Sequence, residues 1–241
     1  MAENKKAPLV LISGASQGIG AAIAQSFANA DFPVRLALVA RSKAALDGVV
    51  AKCSPSAEAR SYAVDVSDDE QVRRFFATLQ RDMGDVSVLI NNAGSWHGAA
   101  VEETLVADFD RVMAVNIRST FLMTRMVLPN MLANQCGDIF NMSSTAGFEG
   151  YANVSAYCAA KHAVSGFTKA LREEVRGKGI RVSCISPGPT YSPSWQASGV
   201  SRDRLMPAED VARAFLDIYR LDRNVVVEDI VLRPQAGHIS S

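Results

Sequence analysis

The chain has 241 residues, of which 48% are apolar and 21% are charged, with 25 basic and 25 acidic side chains. This length allows one large α/β domain or two small ones, built around a substantial buried core. A formal net charge of zero gives no electrostatic reason to expect nucleic acid or an anionic membrane as a partner.

Four widely spaced cysteines, none in a Cys-x-x-Cys pair, fit neither a metal site nor a small disulfide scaffold. We therefore expect reduced thiols, no bound metal and a cytoplasmic location. The polar N-terminus is followed by an apolar run, residues 9–12, that is too short for a signal sequence or a membrane span.

Short apolar runs alternate with longer segments of helical periodicity along the whole chain. The predicted strands are 9–12, 34–39, 61–64, 86–90, 138–142, 180–185 and 229–232. The predicted helices are 18–29, 42–52, 68–82, about 106–115, 117–132, a segment through Tyr157 to about 176, and 207–219. The pattern is a β-α unit repeated about six times.

Continuous apolar strands are buried on both faces, which is typical of a parallel sheet covered by helices. Right-handed crossovers then predict one α/β domain, residues 1–241, with a doubly wound parallel sheet of about seven strands and helices on both faces. Ligands of such sheets bind beyond the carboxyl ends of the strands. The main irregular segment, about residues 187–206, is rich in Pro, Ser and Gly, which predicts a substrate lid.

A turn of small residues, Ser13-Gly14-Ala15-Ser16-Gln17-Gly18-Ile19-Gly20, joins the first predicted strand and helix. Glycines there let the backbone approach a pyrophosphate, and the helix N-terminus offers unpaired N–H groups. The spacing differs from the Gly-x-Gly-x2-Gly fingerprint, and a tight turn that needs small residues is the alternative. The residues predicted to contact the cofactor here are Gly14, Ser16, Gln17, Gly18, Ile19 and Gly20.

The end of the second predicted strand bears on the choice of nucleotide. An Asp or Glu usually meets a free ribose 2′-hydroxyl there, but this chain has Ala40-Arg41-Ser42. Arg41 can pair with a 2′-phosphate, which favours NADP(H), although a solvated surface charge has the same appearance. After the third strand, Asp65 can bond an adenine amino group or cap a turn, and Val66 beside it is a further predicted cofactor contact.

Tyr157 and Lys161 are four residues apart in a predicted helix and therefore lie on one face of it. A nearby ammonium favours the phenolate, so the pair forms a plausible proton donor. Such pairs are also common on protein surfaces, and this one indicates catalysis only together with other motifs.

Over essentially its whole length, the sequence resembles the short-chain dehydrogenase/reductase family. The motifs that carry the resemblance are Gly14-x3-Gly18-Ile19-Gly20, Asn91-Asn92-Ala93-Gly94 after the fourth strand, Ser144 thirteen residues before Tyr157, and Pro187-Gly188 after the sixth strand. The resemblance implies a Rossmann-like fold and a catalytic tetrad of Asn116, Ser144, Tyr157 and Lys161. It also implies cofactor contacts from Asn92, Ala93, Gly94, Tyr157, Lys161, Pro187, Gly188 and Thr190.

The resemblance further implies a mechanism in which NADPH delivers hydride to a carbonyl carbon and Tyr157 protonates the developing alkoxide. Lys161 is expected to lower the pKa of Tyr157 and to hold the nicotinamide ribose. Ser144 is expected to hydrogen-bond the carbonyl oxygen, and Asn116 to position a water that links Lys161 to solvent.

Three departures from the family pattern stand out. Gln17 occupies a position where members that use NADP(H) often carry a basic residue. Ser192 occupies a position where Thr is frequent, so either Thr190 or Ser192 can bind the carboxamide. The C-terminal segment lacks the Gly-Gly that many members have, which leaves a homodimer and a homotetramer as open expectations.

Aromatic residues on loops near the expected carboxyl ends of the strands predict a pocket for a small carbonyl or alcohol substrate. The predicted pocket residues are Trp96, Phe148, Tyr151 and Trp195, together with Ser144. The leading hypothesis is an NADP(H)-dependent oxidoreductase that interconverts a ketone and a secondary alcohol. The alternatives are a 3-oxoacyl carrier-protein reductase and a non-catalytic NADP-binding sensor or scaffold. The intact Ser144, Tyr157 and Lys161 argue against the sensor or scaffold.

Overall fold

The computed structural model describes residues 7–196 and 199–237, and its centre is a seven-stranded sheet. All neighbouring strands are parallel, in the order β3-β2-β1-β4-β5-β6-β7. The strands are β1 (Leu9–Ser13), β2 (Arg35–Ala40), β3 (Glu58–Ala63), β4 (Val88–Asn91), β5 (Gly137–Met142), β6 (Ile180–Pro187) and β7 (Asp229–Leu232). The order reverses between β1 and β4, which confirms the doubly wound, Rossmann-like α/β fold and places a ligand crevice at that point.

Helices cover both faces of the sheet. They are α1 (Gly18–Ala28), α2 (Lys43–Val50), α3 (Asp69–Asp82), α4 (Val106–Met113), α5 (Ser119–Ala133), α6 (Ser155–Val175), α7 (Pro193–Gln196) and α8 (Ala208–Arg220). One core cluster joins the sheet to α1, α2 and α8, and a second joins the opposite face to α3, α5 and α6. None of the helices in the described part of the chain is long and apolar enough to cross a bilayer.

The strand β1 explains why the sequence shows continuous apolar runs. Val10 and Ile12 belong to the first cluster, whereas Leu9 and Leu11 belong to the second. Successive side chains of a strand point to opposite faces, so a strand covered on both sides needs apolar residues throughout. The edge strands β3 and β7 differ, because exposed and half-buried residues largely alternate along them.

The sequence predicts that one helix ends and another begins at Asn116. In the structure the helical path continues through Asn116. The helices α4 and α5 are joined by a π-helical turn, Ala114–Arg118, without a loop between them. Single π-helical turns inside α-helices occur frequently at functional sites, because the extra residue re-aims a side chain.

The predicted lid, residues 187–206, contains more regular structure than its composition indicates. Pro187 still belongs to β6, and the segment includes α7 and a 3-10 turn, Arg202–Arg204. Met206 N donates to Pro189 O at 3.0 Å and Tyr191 N donates to Met206 O at 2.8 Å, so the two ends of the segment are paired. Residues 197 and 198 of the predicted lid, and 1–6 and 238–241 of the predicted domain, lie outside the described residues.

Candidate active site

The turn between β1 and α1 has the geometry of an anion cradle. Gly14 has a φ of +65°, a conformation that favours glycine. A Cβ at Gly20 would collide with the Gly14 carbonyl oxygen and lie 2.5 Å from Asn92 Nδ2, so only glycine fits there. Among the described residues, no side chain caps the N-terminus of α1, and its first turn contains no acid. Its N–H groups are therefore available to a phosphate.

The predicted Asn92-Ala93-Gly94 motif braces this turn. Asn92 N and Ala93 N donate to Ser13 Oγ at 3.1 and 3.0 Å. Asn92 Nδ2 donates to the carbonyl oxygens of Ser13 and Gly14 at 3.0 and 3.1 Å. The sequence reasoning missed Ser13, which is buried at the end of β1, because a lone serine there carries no recognisable signal.

The other predicted residues of the turn differ in their exposure. Gln17 is exposed, whereas Ser16 and Ile19 are half-buried, and Ile19 packs against the first core cluster. Gly18 faces the predicted lid, since a Cβ built on it would lie 3.4 Å from Ser192 Cβ. The predicted lid thus passes directly over the anion cradle.

At the ends of β2 and β3, the three predicted nucleotide contacts have different environments. Arg41 is exposed at the carboxyl end of β2, where no carboxylate of the described residues forms an ion pair with it. Asp65 Oδ1 accepts hydrogen bonds from Ser67 N at 2.9 Å and Ser67 Oγ at 2.6 Å, which is the turn-capping arrangement. The Val66 side chain is buried in the second core cluster, so only its backbone can face a ligand.

Ser144 and Tyr157 meet at the carboxyl edge of β5. Ser144 caps a 3-10 turn, Thr145–Gly147, and its hydroxyl lies near enough to Tyr157 to act on the pKa of the phenol. Burial raises the pKa of Tyr157, and the neighbouring Ser144 hydroxyl opposes this rise only in part. The phenol therefore stays protonated at neutral pH.

Lys161 lies one turn after Tyr157 on α6, as predicted, and only 3% of it is exposed. Its ammonium donates to the Met142 carbonyl oxygen at 2.9 Å and lies 5.6 Å from the centre of the Tyr157 ring. Burial lowers the pKa of Lys161 to about 8. The net shift of the Tyr157 pKa is upward, because the desolvation of the phenol is the largest influence on it. That Lys161 lowers this pKa stays a prediction.

Asn116 completes the predicted tetrad from the π-helical turn. Its Nδ2 donates to Val112 O and Ser95 O, both at 2.8 Å, which fixes the orientation of the amide. Asn116 Oδ1 is buried and has no partner among the described residues. It lies beside Gly94, and so does Lys161 Nζ, since a Cβ built on Gly94 would be 2.9 Å and 3.5 Å from these two atoms.

The segment that follows β6 also reaches this edge. Pro187 is the last residue of β6, and Gly188 N donates to the Leu232 carbonyl oxygen at 2.8 Å. Thr190 is buried and its hydroxyl donates to Gly188 O at 2.9 Å. The Thr190 hydroxyl is thus already engaged by the backbone, while Ser192 lies near Gly18.

The predicted pocket residues lie on three loops of this edge. Trp96 follows β4 and is 60% exposed, with its indole folded over Gly98. Phe148 and Tyr151 follow β5, with Phe148 exposed and Tyr151 half-buried, and half-buried Trp195 lies on α7.

Comparison with known proteins agrees with this geometry. Residues 8–202 match the short chain dehydrogenase family, and the chain belongs to that family. It is 32% identical over 238 residues to a sepiapterin reductase from Chlorobaculum tepidum, covering 96% of this chain and 98% of the relative. Among solved structures, a metagenomic short-chain oxidoreductase in complex with NADP is 29% identical, with a TM-score of 0.79 and coverage of 95% and 97% of the two chains. A variant of actinorhodin polyketide ketoreductase with NADPH is 26% identical, with a TM-score of 0.87 and coverage of 97% and 98%.

Proposed function

We propose that this oxidoreductase transfers hydride between NADP(H) and a ketone or secondary alcohol, and that it acts as a carbonyl reductase. The observation that carries the proposal is the position of Ser144, Tyr157 and the Lys161 ammonium at the same sheet edge as the glycine turn. This edge lies at the reversal of strand order, where doubly wound sheets bind nucleotides.

Each tetrad residue has a role that its surroundings support. When bound, NADPH supplies the hydride that reduces the carbonyl carbon. The Ser144 hydroxyl donates to the carbonyl oxygen, where negative charge develops. Tyr157, which is kept protonated by burial, donates its proton to the same oxygen as it becomes the alcohol. A protonated phenol is the form that reduction needs.

The orphaned Asn116 Oδ1 supports a water-mediated link to Lys161. A buried carbonyl oxygen without a partner is costly, and an ordered water commonly satisfies such an atom. One water beside Gly94 can accept from Lys161 and donate to Asn116 Oδ1. Lys161 is also proposed to hold the nicotinamide ribose.

Arg41 supports the choice of NADP(H) over NAD(H). It is an exposed guanidinium at the end of β2, and no acid stands at that strand end to hold a 2′-hydroxyl. The relatives in complex with NADP and NADPH agree with this assignment. Asp65 and the backbone of Val66 are proposed to border the adenine, and Ser192 and Thr190 the carboxamide.

The experiment is hydride transfer, followed by NADPH absorbance, with a panel of ketones that includes sepiapterin because of the relative's activity. We expect turnover with NADPH and at least about tenfold lower kcat/KM with NADH. A strong preference for NADH would contradict the role given to Arg41. Binding of NADPH without turnover on any carbonyl would favour the non-catalytic sensor instead.

A 3-oxoacyl carrier-protein reductase remains the alternative enzyme. Arg202 and Arg204 are exposed on the predicted lid, where they can meet an acidic carrier. Arg202 also stacks on the Tyr191 ring at 4.6 Å, which gives it a local structural role. Comparing the KM for one 3-oxoacyl group as a small thioester and on carrier protein separates the two functions. Only the carrier-protein reductase requires the carrier for a low KM.

Association into a homodimer or homotetramer remains a prediction. Val101, Leu105, Val106 and Phe109 are exposed in and before α4, and Phe121 is exposed on α5. Exposed apolar side chains so close in sequence are compatible with contact to a second copy. Light scattering of the purified chain at several concentrations measures the state directly.

A further inference from the structure

The turn that carries Ser144 is connected to the other end of the sheet edge by charged side chains that no part of the mechanism uses. Glu149 Oε1 accepts from Arg233 at 2.6 Å, and Arg233 follows β7 directly. The other carboxylate oxygen accepts a hydrogen bond from the Tyr151 hydroxyl. We call Glu149, Tyr151 and Arg233 the Glu149 clamp.

The contacts of the clamp lead back to Ser144. The Tyr151 hydroxyl lies 3.0 Å from the Oγ1 of Thr145, the residue next to Ser144. Glu149 N donates to the Thr145 carbonyl oxygen at 3.0 Å. The backbone of Glu149 therefore contacts Thr145 directly, and its side chain contacts Thr145 through the Tyr151 hydroxyl.

The turn itself is short and buried, and Gly147 packs closely against Ser165 and the Lys161 backbone of α6. Ser144 Oγ accepts from Ala146 N at 3.2 Å, and Gly147 N donates to Ser144 O at 2.8 Å. These bonds keep the turn closed, and Ser143 N, which donates to Ile185 O at 2.7 Å, joins the residue before Ser144 to β6. The Glu149–Arg233 bond adds a link from the far end of this segment to β7, because Arg233 is adjacent to Leu232, which pairs with Gly188 across the β6 end.

The environment of the clamp is suited to this task. Glu149 and Arg233 are more than a third exposed, and an exposed ion pair alone contributes little to stability. The Arg233 guanidinium also lies 5.7 Å from the centre of the Phe148 ring, which restricts its freedom. Burial and the bond to Glu149 raise the pKa of Tyr151, so its hydroxyl remains a donor throughout the neutral range.

We propose that Glu149 is a positioning residue, held by Arg233, that keeps the Ser144 turn rigid so that the Ser144 hydroxyl stays in place against Tyr157. This inference rests on the proposed function for its kinetic consequence only. A rigid donor at the developing oxyanion raises kcat, because the donor needs no reorganisation during the reaction. Substrate affinity depends on other contacts and changes less.

The test compares Arg233→Met and Glu149→Gln with a matched ion pair elsewhere. Glu173 and Arg176 form a similar exposed pair at the far end of α6, so Glu173→Gln and Arg176→Met are the controls. Amide hydrogen exchange of residues 146–149 is measured in the full chain, with and without NADPH. We expect exchange to accelerate about tenfold in the clamp variants and not in the controls.

The kinetic arm uses the best ketone of the panel. We expect kcat to fall about tenfold in Arg233→Met, with the KM for the ketone within about threefold of wild type, and Arg233→Lys to restore most of the loss. Unchanged exchange overturns the proposal, and so does faster exchange with unchanged kcat. If Arg233→Met fails to fold, Glu149→Gln decides by the same criteria.

Failure of the proposed function is distinguishable from failure of the clamp. A wild-type chain that reduces no carbonyl with NADPH rejects the proposed function. The exchange comparison between clamp variants and controls needs no turnover. Faster exchange in the clamp variants then supports the positioning role of Glu149, and unchanged exchange overturns it.

Discussion

The amino and carboxyl edges of the sheet differ in whether their buried polar groups have partners. At the amino edge, the Asp138 carboxylate accepts from Arg181 at 2.6 Å and from Arg223 at 2.5 Å. Arg181 also donates to carbonyl oxygens at the end of α8, including those of Tyr219 at 2.8 Å and Leu221 at 2.9 Å. At the carboxyl edge, Asn116 Oδ1 and Ser95 Oγ are buried with no partner in the described part of the chain.

The difference separates a structural cluster from a binding site. Buried charges that saturate one another stabilise the fold only while every member is present. Buried groups with unused hydrogen-bonding capacity cost stability in the free protein, and they persist where a ligand or water uses them. The two edges therefore predict opposite outcomes for mutation, one in stability and the other in turnover.

The largest expected effect on stability is at the amino edge. Asp138→Asn leaves the buried Arg181 without its anion, and we expect a loss of about 3–5 kcal/mol in the free energy of unfolding. Turnover per folded molecule should be unchanged. Urea denaturation followed by circular dichroism measures the loss, and a change below about 1 kcal/mol would contradict the structural role.

At the carboxyl edge, Ser144→Ala removes the donor to the developing oxyanion. We expect kcat to fall about 100- to 1,000-fold, with unfolding free energy within about 1 kcal/mol of wild type. Steady-state kinetics beside a denaturation curve tests both parts. A loss of unfolding free energy as large as that of Asp138→Asn would show that Ser144, like Asp138, mainly stabilises the fold.

The buried Lys161 ammonium predicts a pH dependence of stability. Its folded pKa of about 8 lies below the usual lysine value of 10.5, so between these values the unfolded chain binds more protons. Stability then rises with pH in this window. Relative to Lys161→Met, the wild type should gain about 2–3 kcal/mol between pH 8 and pH 10.

The quantity to measure is the difference in unfolding free energy between wild type and Lys161→Met. The raised pKa values of Tyr157 and Cys184 lower stability as the pH rises above the usual values of these groups, and they do so in both proteins. Urea denaturation at pH 7, 8, 9 and 10 provides it. A constant difference would show that Lys161 is not desolvated.

The smallest expected effect concerns Arg41 at the cofactor end. Arg41→Ala removes one charge-assisted contact to the 2′-phosphate, so NADPH affinity should fall about 10- to 100-fold while NADH affinity changes little. Fluorescence titration with each nucleotide measures this. Lys52→Ala, on the surface after α2, is the matched control for loss of a positive charge.

Much of this architecture is readable from the sequence because burial on both faces demands unbroken apolar strands, as in β1. Helical spacing also puts Tyr157 and Lys161 on one face of a helix, whereas Ser144 is predicted only through the family resemblance. The helix break at Asn116 is predictable from the polar residue, but its π-helical form is not, because the extra residue depends on packing against the loop at Ser95.

Other features depend on tertiary contacts that no local pattern encodes. The bond between Glu149 and Arg233 joins residues 84 positions apart, and neither lies in a recognisable motif. The raised pKa of Tyr157 has the same origin. The sequence shows the neighbouring Lys161, whereas the degree of desolvation follows from the packing around α6.

The most direct test of the central claim is single-turnover hydride transfer from NADPH to the best ketone, comparing wild type with Tyr157→Phe. The account predicts a rate at least about 1,000-fold lower in the variant, with NADPH affinity within about twofold of wild type and unfolding free energy undiminished. A variant that retains more than about a tenth of the wild-type rate would show that Tyr157 is not the proton donor.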